Sequence, residues 1–296
     1  MKKYILAIFI ILQCFSFCGC GPKETPAEIA ATTLPVHNFT EYLCQGTPLR
    51  VTRLITENVS CLHDYSLQVS QMQAIEGAQV IVISGAGLED FLADVLTSAA
   101  KVIDASEGVD LICNDNADHS HDHEHAHNHS HMGDPHIWLS PENAKKMSQS
   151  ICAGLCDTYP EYAGTFRNNL TNLLGELDIL NEYAQQSLST LSCRELITFH
   201  DGFSYLAQAF DLHILKAIEE ESGSEPSAQE IISLVRMVED HSLRAIFTET
   251  HGSSAAASII AAETGCNSYT LDMAMSGDSY FDAMYKNIDT LKEALE

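Results

Sequence analysis

Between Pro160 and about Leu191 the chain holds one long stretch of helical spacing, and that stretch limits the folds open to it. Tyr162, Phe166, Leu170, Leu173, Leu174, Leu177, Leu180 and Leu188 recur mostly at steps of three and four residues, which gives the helix one apolar face. About thirty residues at 1.5 Å rise make a rod of roughly 45 Å. That is long for a globular helix, and one use for it is a rigid strut joining two lobes. The alternative is a long helix within a single domain.

Short apolar strands alternate with helices on both sides of this rod. Before it, LRVTRLIT from Leu49 reads as a strand, helical spacing surrounds Gln71–Ala78, and Gln79-Val80-Ile81-Val82-Ile83 has the compact apolar character of a buried strand. Leu88–Thr97 returns to helical spacing, Lys101–Asp104 is a further short strand, and Ser140-Pro141 caps a helix to about Asp157. After it come ELITFH (195–200), a helix near Phe203–Phe210, a strand His213–Ile218, and a capping box at Ser227–Glu230 that opens a helix to about Asp240. LRAIFTE (243–249), an Ala-rich helix 253–264, SYTLD (268–272) and a final helix of about Ser279–Leu295 complete the rhythm. Strands alternating with helices call for mostly parallel sheets covered by helices. The fold expected is therefore α/β, two lobes joined by one long helix, with no close internal sequence repeat.

Ligands of open α/β sheets gather outside the carboxyl ends of the strands. His200 closes ELITFH and Asp272 closes SYTLD, while His63 lies in the loop after the first predicted strand. His136 sits in Asp134-Pro135-His136-Ile137-Trp138, directly after a tract that alternates histidine with short or acidic residues: His119, His121, His123, His125, His127, His129 and His131. A lone histidine at a strand end is more often a hydrogen-bonded core or surface residue than a ligand. Seven alternating imidazoles have little use in a packed domain, and their H-x-H spacing suits several weak, exchanging metal contacts. The tract, loop 115–133, reads as a metal collector beside a fixed site; the bland alternative is a solvated low-complexity loop.

The first twenty residues read as an address. Lys2 and Lys3 precede an apolar run, Tyr4–Leu12, too short to span a bilayer, and the run leads to Phe17-Cys18-Gly19-Cys20. This resembles the lipobox of bacterial lipoproteins, with Cys20 as the lipidated residue, although Phe17 and Cys18 depart from the usual pattern. Removing residues 1–20 takes two lysines and no acid, leaving 13 basic against 41 acidic residues, a formal charge of −28. Such a surface repels nucleic acid and draws in cations, though solubility alone would also account for it. Residues 21–48, polar and rich in Pro and Thr, read as a tether. Cys44, Cys61, Cys113, Cys152, Cys156, Cys193 and Cys266 remain, an odd number with no C-x-x-C spacing, and they assign no disulfide.

Asn58–Leu67, GLEDFL (87–92), DPHIWLSPENA (134–144), TFHDGFSYLA (198–207), EPSA (225–228), FTET (247–250) and LDMAMSGDSY (271–280) occur in that order. Together they resemble the metal-binding lipoproteins of bacterial ABC importers, the zinc-uptake (ZnuA/TroA-like) group, over nearly all of residues 49–296. The resemblance implies two α/β lobes joined by one long helix, with a metal site in the cleft between them; after the tether 21–48 the expected division is an N-terminal lobe 49–157, a linking helix 158–192 and a C-terminal lobe 193–296. It makes His63, His136 and His200 the imidazole ligands and Asp272 the last ligand. The family's LDPLG-like segment reads LDMAM here, and the missing proline puts the geometry of that loop in doubt. Three imidazoles and a carboxylate suit Zn²⁺; Mn²⁺ prefers more oxygen, and the order of affinities does not exclude Ni²⁺ or Cu²⁺. Glu249 and Asp201 are carboxylates near strand ends, with orienting a ligand and a purely structural role as the two alternatives. The implied partners are an ABC permease with its ATPase, and a lipid bilayer through the anchor; the chain is expected to be a monomer. A zinc hydrolase and a surface metal store or adhesin are the competing classes. No G-x-x-x-x-G-K-[ST] motif occurs in the sequence.

Overall fold

The computed structural model describes residues 27–57, 59, 62, 65–97, 101–113, 133–219, 226–250 and 254–296. They build two four-stranded sheets with every pairing parallel. The first runs in the order β2-β1-β3-β4, with β1 Ile29–Ala31, β2 Val51–Arg53, β3 Val80–Ile83 and β4 Val102–Asp104. The second runs β6-β5-β7-β8, with β5 Glu195–His200, β6 His213–Glu219, β7 Ala245–Glu249 and β8 Asn267–Leu271. The two orders are the same. In each sheet the first strand lies inside, between the second and the third, so the chain reverses direction across the sheet at the same place in both halves.

One expectation fails. Residues 29–44 belong to the first lobe and not to a tether. Ile29-Ala30-Ala31 is an inner strand paired on both sides, and helix α1, Leu34–Cys44, follows it. The prolines and threonines that suggested a linker serve as helix punctuation: Thr33 is extended at the N-cap, and Pro35 sits in the first turn, where its missing N–H costs nothing. Val36, Phe39, Thr40 and Leu43 are fully buried at helical spacing. The Phe39 ring meets Tyr280 of the last helix edge-on at 4.9 Å. The strand LRVTRLIT likewise shrinks to Val51–Arg53, and the helix expected over 88–97 breaks into a 3-10 turn, Asp90–Leu92, and one α-turn, Ala93–Leu96.

The long helix is present. A 3-10 turn at Pro160–Tyr162 leads into Ala163–Ser187, and Phe166, Leu173, Leu177, Leu180 and Ala184 form its buried face. That face belongs to a core holding residues of both halves, from Ile29 and Phe39 to Leu196, Leu271 and Leu291. Alternation along β5 divides the second half: Leu196 faces this shared core, whereas Ile197 and Phe199 face a separate cluster with Leu234, Val238 and Ile260.

In the first sheet the reversal point between β1 and β3 is closed by a buried carboxylate. Glu89 accepts hydrogen bonds from the Thr32 hydroxyl at 2.6 Å and from the Ser84 and Gly85 amides at 2.7 and 3.0 Å. Burial pushes its carboxyl up to about 7, against the pull of those three donors. Gly85 has φ +81°, and a Cβ there would overlap the Asp104 carboxylate, so only glycine fits.

Replacing Phe39 with Ala tests the revised boundary. Loss of a fully buried ring should cost about 3–5 kcal/mol in denaturant unfolding, whereas a tether residue would change stability by no more than about 0.5 kcal/mol.

Candidate metal centre

His200 ends β5 and His136 precedes the 3-10 turn Ile137–Leu139; each is 2% exposed. Their rings lie 5.3 Å apart between centroids and nearly perpendicular, at 88°. Two segments separated by the whole long helix thus bring two imidazoles together.

His136 is oriented by its neighbour two residues back. The buried Asp134 Oδ1 accepts the His136 amide N–H at 2.9 Å and lies 2.8 Å from Nδ1. With Nδ1–H donated to the carboxylate, Nε2 carries the lone pair, the tautomer a metal ligand needs. Asp134 is fixed in turn: its amide donates to the Ile112 carbonyl at 2.8 Å, and its own carbonyl accepts from the Tyr205 hydroxyl at 2.8 Å. The same Tyr205 oxygen accepts the Ile112 amide at 3.0 Å, and burial pushes its phenol up to about 12. The two stems that flank the histidine tract are therefore pinned side by side, next to His136. Ser140 then caps helix α4, Pro141–Thr158, by accepting from the Asn143 amide.

His200 depends on the absence of a side chain. A Cβ on Gly202 would lie 2.7 Å from His200 Cδ2, 3.1 Å from Nε2 and 2.6 Å from the Met273 methyl, so glycine leaves room for the ring. Glu249 ends β7. Its strand pairs with β5 through Thr198↔Phe247. His200 and Glu249 flank the reversal point of the second sheet, the place where such sheets gather ligands.

Asp272 lies one residue beyond β8 instead of closing it, and is half-buried. Its amide donates to Asn287 Oδ1 and its carbonyl accepts from Asn287 Nδ2, both at 2.7 Å. Its Oδ1 accepts the Ala274 amide at 2.8 Å, and Ala274 adopts φ +54°. The Asn287 side chain, from the last helix, thus braces this turn.

Among the described residues no group of three histidine, cysteine or carboxylate side chains forms a metal cage. His63, the seven histidines of the tract and Cys20 lie outside the described residues. Close to His63 in sequence, Leu62 is fully buried, and its carbonyl accepts the Tyr65 amide at 3.0 Å. Asp134, Gly202, Tyr205 and Trp138 are parts of the site that the motifs contained without revealing. A carboxylate two residues before a candidate ligand was the available signal for Asp134.

The model of the family described as zinc-uptake complex component A, periplasmic, matches residues 29–294. The chain belongs to this family. The match begins at the first residue of β1, in accord with the revised boundary. The chain is 28% identical to the high-affinity zinc uptake system protein ZnuA of Bacillus subtilis, covering 100% of this chain and 99% of that one. It is 30% identical to a protein of Treponema pallidum described as metal-binding, over 92% of this chain and 90% of that one. A crystal structure of ZnuA superposes with a TM-score of 0.78 at 28% identity, covering 91% of this chain and all of that chain.

Asp134→Asn keeps the shape and removes the charge that holds His136 Nδ1–H. It should weaken divalent-metal binding about 10–100-fold, read by calorimetric titration, with little change in melting temperature.

Proposed function

We propose that this member of the zinc-uptake family captures Zn²⁺ outside the cytoplasm on His63, His136, His200 and Asp272 and delivers it to an ABC-type importer. The observation that carries the reading is the buried, mutually perpendicular pair His136–His200, one imidazole held in its metal-ready tautomer by Asp134. Two nitrogen donors in a sheltered crevice favour Zn²⁺ over the oxygen-preferring Mn²⁺, and His63 would add a third. Asp272 stands one residue past the strand end with Oδ1 held by the Ala274 amide, which sets the carboxylate's orientation before cargo arrives.

The partner is a membrane permease with a separate ATPase. Lipid attachment at Cys20 would hold the chain at the membrane surface as a monomer. The histidine tract would gather Zn²⁺ near the cleft, since its stems at Ile112 and Asp134 are bonded together beside His136. Net charge of −26 over the whole sequence favours the approach of a cation at low salt.

Titration of zinc into His136→Ala and His200→Ala, each beside the unaltered protein, tests the assignment. Each should lose at least about 100-fold in affinity, because the neighbours retain an incomplete donor set. Undiminished affinity in either variant would remove that residue from the site. Affinity should also fall as the pH drops below about 6, where imidazoles protonate and must release protons to bind metal. A flat profile between pH 5 and about 7 would speak against histidine ligation.

A further inference from the structure

Trp138 lies two residues from His136 and touches more of the candidate centre than any packing role requires. Its indole N–H donates to the carbonyl of Met273, the residue after Asp272, at 2.7 Å, and the whole side chain is buried. Its own carbonyl accepts the hydroxyl of the fully buried Tyr280 at 2.8 Å. Its ring meets the His136 ring edge-on, 5.5 Å between centroids. The Met273 methyl and the His200 ring lie together at Gly202, so the residue whose carbonyl the indole holds also borders His200. One N–H thus ties the turn bearing His136, in the first half of the chain, to the loop bearing Asp272 and flanking His200, in the second.

We infer that Trp138 is a positioning residue for cargo binding: its N–H···O bond to Met273 sets the placement of His136 relative to His200 and Asp272. This rests on the ligand reading given above. Packing alone would be satisfied by any large apolar ring. What the indole adds is a directed donor, and a buried donor requires an acceptor at one defined place. If the bond is removed while the shape is kept, the core should persist and the ligand spacing should loosen.

The sequence contains a single tryptophan. Growth of a tryptophan auxotroph on β-(3-benzothienyl)alanine therefore replaces residue 138 alone, with sulfur in place of N–H at nearly unchanged shape. The benzothienyl protein should bind zinc about tenfold more weakly, the scale of one lost buried hydrogen bond. Protein carrying 5-fluorotryptophan, which keeps the N–H, should match the native affinity. Benzothienyl protein that binds zinc as tightly as the native chain, even with a lowered melting temperature, would overturn the proposal and leave Trp138 a packing residue. His136→Ala, titrated alongside, separates the two levels: native affinity in that variant would overturn the ligand assignment itself. Should the benzothienyl protein fail to fold, Trp138→Phe, which keeps an apolar ring and lacks the N–H, takes its place. About tenfold weaker binding supports the proposal; native affinity overturns it.

Discussion

The contact on which the rest of the site depends is the one between Asp134 and His136. A carboxylate buried this deeply is costly unless its charge is met by donors, and the amide and imidazole of His136 supply two of them at 2.9 and 2.8 Å. That contact fixes which ring nitrogen carries the lone pair, and so decides what His136 can do. Everything around it holds Asp134 still. Ile112 takes its amide, Tyr205 takes its carbonyl, and Tyr205 comes from the helix that follows His200. The turn bearing His136 is therefore built against the segment that follows the strand bearing His200. The long helix supplies the distance between them in sequence, and Tyr205 and Trp138 remove it in space.

Both halves use the same strand order, and they treat its reversal point differently. In the first sheet, Glu89 fills the crevice between β1 and β3 and bonds to Thr32, Ser84 and Gly85. In the second, the corresponding strands β5 and β7 end in His200 and Glu249. One crevice is closed by its own carboxylate, and the strands flanking the other end in an imidazole and a carboxylate. The candidate ligands of the first half, His136 and His63, come from segments after β4 and β2.

Much of this was legible in the sequence, for physical reasons that differ from element to element. The strand ELITFH and the rod after Pro160 are long enough for periodicity to declare itself, and both stand where they were read. Ile29–Ala31 was missed because a three-residue inner strand has no period to detect. Residues 34–44 were missed because Thr and Pro, which open a helix here, are also the residues of linkers. The spacing of Val36, Phe39 and Leu43 held the information. His136 and His200 could be named from motif resemblance, but their partners could not. Asp134, Trp138 and Tyr205 act through contacts with residues up to 142 positions away, Met273 and Tyr280 among them, and no local pattern encodes such contacts. Just past β8, Asp272 is braced by the Asn287 side chain, fifteen residues further along the chain.

Zinc K-edge X-ray absorption of the loaded protein tests the central claim most directly, since it counts the cargo's ligands by element and distance. The account predicts a shell of nitrogen and oxygen at about 2.0–2.1 Å, with outer-shell scattering from three imidazole rings and no sulfur. A thiolate contribution at about 2.3 Å, or scattering from fewer than two imidazoles, would contradict it.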